Sequence, residues 1–395
     1  MHWGQKPVIQ SILNANISQN DKILTRRAQL LSPKTKINIS RIIPFGLIWL
    51  TFSIIYSLLE RGLLGNLDAY PSTGNPYHFS GTLFITAIIA FTIGLLIGTI
   101  EILYLNGLFL RMSFIKKIIC KTLIYLAIII AFLLIIALIY NSLELKSSIF
   151  NKKVLNNVWI FFSSFSFWSI EVYIAAIIGF SLFYTETSEN LGHGVLKNFF
   201  TGKYHSPVEE ERIFMFLDMK SSTTIAENIG HVKYFKMLKE YFSDLTEPII
   251  KYSGEIYQYV GDEIVVTWKL KNGSGNYNCI HCFFAMKTAI KNQSRKYFEN
   301  FGFLPEFKAG LHSGKVITGE IGVIKKEIIF TGDVLNTAAR IQALCNTYKV
   351  DVLISENLIK NLPLPYPFQI KILGETKLRG RDEEIKLFTL TELFQ

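Results

Sequence analysis

The residues best placed for chemistry are two aspartates in two different turns. Asp218 closes the apolar run Arg212–Asp218, and Asp262 sits between the alternating segments 257–260 and 263–268. A carboxylate just past a buried strand, matched by a second in a neighbouring hairpin, can hold divalent cations against a triphosphate. Phosphoryl chemistry is therefore the first hypothesis. A plainer account makes Asp218 a helix N-cap ahead of Ser221 and Ser222, and Asp262 a Gly-Asp turn residue.

Whether the two carboxylates meet depends on the elements that carry them. Hydrophobic periodicity predicts strands near 212–218, 255–260, 263–268, 307–312, 315–320, 327–331 and 350–354, and helices near 222–249, 277–298, 334–346 and 355–361. The opening order of strand, helix, hairpin, helix and strand is that of a ferredoxin-like α+β sheet. In such a sheet the end of the first strand and the tip of the hairpin share one edge, so Asp218 and Asp262 converge. The helix start after Asp218 places Ser221, Ser222 and Thr223 where unsatisfied backbone N–H groups cradle phosphate. Farther on, Asn336 and Arg340 stand at i, i+4 on one helical face, an amide and a fixed cation suited to a developing oxyanion. Lys377 to Arg381 form a basic loop that offers further phosphate contacts or a solvated charge cluster.

The other half of the chain is of a different kind. The chain has 395 residues, 50% of them hydrophobic, and a mean hydropathy of +0.29, too apolar for an ordinary soluble enzyme. Apolar stretches at Ile42–Leu59, Phe79–Ile100, Thr122–Leu143 and Val154–Tyr184 approach or exceed the roughly 20 residues a membrane helix needs. The net charge is +10, yet residues 1–200 hold 16 Lys/Arg against 8 Asp/Glu and the remainder 25 against 23. The basic excess thus belongs to the apolar half and reads as membrane orientation and lipid contact, not as a nucleic-acid surface. Basic flanks before the first stretch and at 111–121 put both termini on the cytoplasmic side, against the opposing signal of Lys146, Lys152 and Lys153. The expected organisation is a basic cytoplasmic segment over 1–41, a four-helix transmembrane domain over 42–184, a coupling linker over 185–211 and a cytoplasmic catalytic domain over 212–393.

Within the apolar half, Glu171 lies at membrane depth as a structural glutamate or a ligand site, and Glu101 marks the cytoplasmic interface. Four scattered cysteines exclude a disulfide framework. Cys279-Ile-His-Cys282 has metal-like spacing without a second pair, which favours small residues packed in a helix.

Several motifs, in order and at compatible spacing over about residues 207–393, resemble the catalytic domain of class III adenylate and guanylate cyclases. They are Phe216-Leu-Asp218-Met-Lys-Ser-Ser-Thr, Gly254 through Asp262-Glu, Gly310-Leu-His-Ser-Gly314 with Thr318-Gly-Glu-Ile-Gly322, and Gly332-Asp-Val-Leu-Asn336-Thr-Ala-Ala-Arg340. The membrane stretches match membrane-anchored bacterial cyclases in general layout. The resemblance implies an enzyme, a phosphorus-oxygen lyase, that converts ATP to cyclic AMP and pyrophosphate in signal transduction at the cell membrane. It implies two Mg²⁺ or Mn²⁺ ions held by Asp218, Asp262 and the Met219 carbonyl, with Asn336 orienting the ribose and Arg340 stabilising the transition state. Arg381 aligns with a basic residue on the terminal phosphates. Because the family supplies the aspartates and the Asn/Arg pair from different copies, a homodimer with two composite sites is implied. The positions that read the base are Gln258 and Ile329, which match neither the adenine nor the guanine pattern, so GTP is an alternative substrate and a non-catalytic signalling module a second alternative.

Overall fold

Long runs of Ile, Leu and Phe with few charges make helices that are apolar all round, and the first half of the chain consists of them. The computed structural model describes residues 32–65, 69, 77–105, 107, 109, 112–192, 194–364, 368–377 and 384–392. Two units emerge, Thr35–Leu191 and the part of the chain from Gly192 onward.

The first unit contains α1 (Pro33–Leu64), α2 (Phe79–Ile100, continued by a π turn over Glu101–Leu105), α3 (Phe114–Glu144), α4 (Lys152–Ser163) and α5 (Phe165–Leu191). The spans Pro33–Leu64, Phe79–Leu105, Phe114–Glu144 and Phe165–Leu191 are long and apolar enough to cross a membrane. The fourth expected stretch is not one helix. Ser164 is extended, and its hydroxyl accepts from the Phe167 N–H at 3.2 Å, which ends α4 and caps the start of α5. Glycines let α1 and α2 approach closely: a Cβ at Gly94 would lie 2.7 Å from the Phe45 carbonyl, and one at Gly98 would lie 2.9 Å from the Phe45 ring. That is the small-residue packing expected where lipid removes the hydrophobic drive between helices.

Glu101 is not a solvated flanking charge. It is 1% exposed and is met by the Lys121 ammonium and, at 2.9 Å, by the Tyr125 hydroxyl. Lys121 also reaches Glu186 at 3.0 Å, and Lys117 reaches Glu186 at 2.7 Å. Charges taken this far from water persist only when paired, and this network ties α2, α3 and α5 together. Glu171 is buried, and its Oε2 has no hydrogen-bond partner among the described residues.

In the second unit a short helix α6 (Val195–Thr201) precedes β1 (Val208–Met219), α7 (Ser222–Ile229), α8 (His231–Lys251), β2 (Glu255–Val260) and β3 (Glu263–Lys269). There follow α9 (Leu270–Ser274), α10 (Asn278–Asn292), α11 (Ser294–Phe301), β4 (Phe307–Ile321), β5 (Glu327–Thr331), α12 (Asp333–Ala343) and α13 (Cys345–Tyr348). The last elements are β6 (Val352–Ser355), α14 (Glu356–Lys360), β7 (Phe368–Lys377) and β8 (Glu384–Glu392). The sheet order β2-β3-β1-β4-β6-β8-β7, with β5 paired to β4, contains the ferredoxin-like core β2-β3-β1-β4.

Alternation along β1 decides which face each residue serves. Ile213, Met215, Leu217 and Met219 join the main core with Met237, Tyr241 and Leu245 of α8 and Cys279, Cys282, Phe283 and Met286 of α10. Cys279 and Cys282 are therefore packed helix residues. Phe214 and Phe216 face the other way, against Val334 and Ala338 of α12. Asp218 follows Phe216 on that second face.

Several expectations change, among them the helix expected at 277–298, which divides at Gln293 into α10 and α11. The expected helix 222–249 is two, because Gly230 takes a φ of 81° between α7 and α8. The strands expected at 307–312 and 315–320 are one, because β1 pairs with β4 without a break from Val208↔Thr318 to Met219↔Phe307 and holds Ser313 and Gly314 extended. Strands β7 and β8 were not expected. Their alternation is diluted by Lys, Glu and Thr; β7 is the sheet margin, whereas Leu387, Phe388 and Leu390 of β8, one strand further in, are buried.

Candidate active site

β1 is in register with both neighbours, and this brings Asp218 to the hairpin tip. Leu217 pairs with Ile264 on β3, and Val260 pairs with Glu263 across the turn Gly261–Asp262. Gly261 supplies the left-handed φ of 63° that the two-residue turn requires. The carboxyl groups of Asp218 and Asp262 come within hydrogen-bonding reach of each other. Asp218 belongs to the strand and caps no helix: Ser221 stands at the N-cap of α7, with a left-handed φ of 56° and no side-chain cap bond. Ser221 and Thr223 are exposed and Ser222 is half-buried, so this helix start lies open next to Asp218.

The electrostatics of the pair are unfavourable. Burial, and then the Asp262 carboxylate, push the Asp218 carboxyl above its usual range, with Lys308 pulling in the opposite direction. The next residue, Glu263, is raised to about 7 by burial and by the charges of Asp218 and Asp262. Tyr241, fully buried in α8, is raised well above its ordinary value, first by burial, and its hydroxyl has no hydrogen-bond partner among the described residues. Most telling is Asp262 Oδ2, which is buried without a hydrogen bond among the described residues. Two crowded carboxylates, one with an unsatisfied oxygen, are what a site for divalent cations looks like before its charge is balanced.

The donor set fits Mg²⁺ or Mn²⁺. No group of three or more His, Cys, Asp and Glu side chains gathers into a cage among the described residues. Such ions commonly take one or two carboxylates and complete their shell with water and substrate phosphates. Met219 could add only its backbone carbonyl, because its side chain is 2% exposed and lies in the core.

The other expected residues separate. Asn336 and Arg340 stand on α12, whose Val334, Thr337, Ala338 and Ile341 are buried against the sheet. Asn336 is exposed and Arg340 half-buried, and neither is hydrogen-bonded or ion-paired through its side chain to a described residue. Within one chain they do not join the aspartates. Gln258 is exposed and Ile329 half-buried, on β2 and β5. A bulge between Ile256 and Gln258 lets both Tyr257 and Gln258 face the α12 side, Gln258 standing opposite Val265. The Tyr257 and Phe330 rings, neighbours of the two base-reading positions, meet at 4.9 Å, and the Phe330 N–H donates to the Tyr257 hydroxyl at 3.4 Å. Arg381 lies outside the described residues.

Two residues at the site escaped sequence reasoning. Lys308 faces Asp218 across the β1–β4 ladder, with Nζ 3.5 Å from Asp218 Oδ2. Gln342 of α12 donates from Nε2 to the same oxygen at 3.3 Å. No local signal marks either residue, since only strand register and helix docking bring them there. Lys220, two residues after Asp218, is ion-paired with Asp351 at 2.7 Å and Glu306 at 3.1 Å.

A ferredoxin-like sheet with facing carboxylates at one edge, and an Asn/Arg helix turned outward, defines a nucleotide cyclase catalytic domain. Residues 205–392 match the model of the adenylate and guanylate cyclase catalytic domain, which makes this part of the chain a cyclase domain. Adenylate cyclase 2 of Rhizobium meliloti (strain 1021) is 35% identical over 223 residues, which cover 56% of this chain and 61% of that protein. Adenylate cyclase of Anabaena cylindrica is 28% identical over 181 residues, covering 44% of this chain and 35% of that protein. The chain thus spans less than two thirds of either relative. Among solved structures, a bacterial light-regulated adenylyl cyclase aligns over 58% of this chain and 66% of its own, at 21% identity and a TM-score of 0.49.

Proposed function

We propose that this protein is a membrane-bound adenylate cyclase that forms cyclic AMP and pyrophosphate from ATP at sites shared between two copies of the chain. The observation that carries the reading is the convergence of Asp218 and Asp262, with Asp262 Oδ2 buried and unpaired. When bound there, divalent cations lower the pKa of the ribose 3′-hydroxyl and neutralise triphosphate charge. Asp218, Asp262 and the Met219 carbonyl hold them. The N–H groups of Ser221, Ser222 and Thr223 face the phosphates. The 3′-hydroxyl gives up its proton to solvent, its oxygen forms a bond to the α-phosphorus as the bond to the pyrophosphate oxygen breaks, and pyrophosphate leaves with the electron pair. Arg340 stabilises the charge that builds on the α-phosphoryl oxygens, and Asn336 orients the ribose. Arg381 binds the terminal phosphates.

The absence of side-chain partners for Asn336 and Arg340 among the described residues supports a dimer in which α12 supplies them to the aspartates of the other copy. The β4–β5 arm supports it, with Ile321, Val323 and Ile324 exposed along its end. The four long apolar helices support a multi-pass protein of the cell membrane, with a transmembrane domain over 42–184 between a basic segment 1–41 and a linker 185–211, and the catalytic domain 212–393 in the cytoplasm.

ATP is favoured by the names of the two relatives, both adenylate cyclases. GTP is the second reading, because the exposed Gln258 amide both donates and accepts and Ile329 offers only shape. The test is cyclic nucleotide production by purified full-length protein in detergent with Mn²⁺, given ATP and GTP in parallel. Cyclic AMP that disappears in Asp262→Ala is the expected result. Cyclic GMP alone would reverse the base assignment, and product that survives in Asp262→Ala would overturn the site.

A further inference from the structure

We propose that Gln342 is the positioning residue for the Asp218 carboxylate, so that each α12 serves two sites, ordering the metal aspartate of its own chain while presenting Arg340 to the other copy. This rests on the composite-site reading above. Gln342 and Lys308 both hold Asp218 Oδ2, at 3.3 Å and 3.5 Å. Asp262 Oδ2 accepts no hydrogen bond among the described residues. With the two donors gathered on Asp218 Oδ2, oxygens of both aspartates are left available to a cation.

The two donors differ in what they do. Lys308 brings a positive charge that keeps the carboxylate ionised but opposes a neighbouring cation. The Gln342 amide is neutral and directional, so it orients the carboxylate without competing for its charge. Gln342 is 6% exposed, which leaves its amide little access to water and makes the bond to Asp218 its partner of consequence. Its position is built into the fold: a Cβ on Gly310 would stand 2.3 Å from the Gln342 nitrogen, so the bare glycine admits α12 this close to β4. Arg340 lies two residues earlier, about 200° around the helix, and therefore points elsewhere. One rigid helix thereby links the geometry of a chain's own aspartate to the cation it contributes across the dimer.

The test begins with Mn²⁺ alone. Binding to the purified full-length protein in detergent, without nucleotide, is followed by the electron paramagnetic resonance of free Mn²⁺, with Asp218→Ala as the control. Gln342→Leu, which keeps the bulk and removes the donor, should weaken binding about tenfold or more; Gln342→Met serves if the leucine variant does not fold. Unchanged affinity overturns the proposal.

A second measurement separates positioning from general disturbance of α12. In mixed dimers of Asp218→Ala and Arg340→Ala chains, the surviving site takes its aspartate from the Arg340→Ala chain. Gln342→Leu on that chain should raise the Mn²⁺ needed for half-maximal activity, and on the Asp218→Ala chain it should change nothing. Equal loss in both placements, or loss in the second only, overturns the proposal. If the parent pair fails to complement, the composite-site reading falls, and Mn²⁺ binding still decides the role of Gln342.

Discussion

At the scale of single residues, the site is framed by charges whose partners set their protonation. Asp351 is one of these. Burial alone would raise its carboxyl, but the ammonium groups of Lys220 and Lys287 outweigh it and hold the carboxyl below its usual range. A carboxyl depressed in the folded state stabilises the fold above its unfolded pKa and loses that contribution as pH falls through the folded value. Asp351→Asn should therefore lower the thermal midpoint near neutral pH, with the difference closing below about pH 3. Equal shifts at both ends of a pH series of melting curves would show that the ion pairs do not stabilise the loop after β1. Lys220 thus anchors the chain next to Asp218.

At the scale of elements, the docking of α12 on β4 has one sensitive point. Gly310 faces the helix, and an added Cβ would meet the Gln342 nitrogen at 2.3 Å, its Cα at 2.6 Å and the Ala338 carbonyl at 2.7 Å. These are backbone atoms that cannot rotate away. Gly310→Ala should push α12 off the sheet, costing about 1–3 kcal/mol of stability or more, and it should reduce cyclase activity beyond the loss of folded protein. A variant that melts and turns over like the parent protein would mean that the helix has slack against the strand. The bulge at Tyr257 is the other device at this scale, because it turns Gln258 to the α12 side.

At the scale of the whole molecule, the membrane unit is held by an ion network as well as by apolar packing. Lys121 is fully buried between Glu101 and Glu186. Lys121→Met would leave two carboxylates with much of their compensation gone, at a cost of about 3–5 kcal/mol. The variant should unfold at lower temperature in detergent, and adding Glu101→Gln should recover part of the loss. A Lys121→Met midpoint equal to that of the parent would exclude a structural role for the network. Glu186 lies near the end of α5, the last helix of the first unit.

The sequence by itself determined the two kinds of matter in the chain. Uninterrupted apolar runs define four long helices, and strand-helix alternation with its spaced motifs defines the cyclase-like sheet. It also determined that Asp218 and Asp262 share an edge, because strand order and a two-residue turn leave few other places for them. Only the tertiary structure decided what stands around them. Lys308 and Gln342 meet Asp218 through register and helix docking, contacts made between segments that no local pattern relates. Lys121 and Glu186 are likewise 65 positions apart, and each alone reads as an ordinary charge flanking an apolar helix. Local periodicity reports which face of an element is apolar, whereas the partner of a buried polar group is chosen by the packing of whole elements.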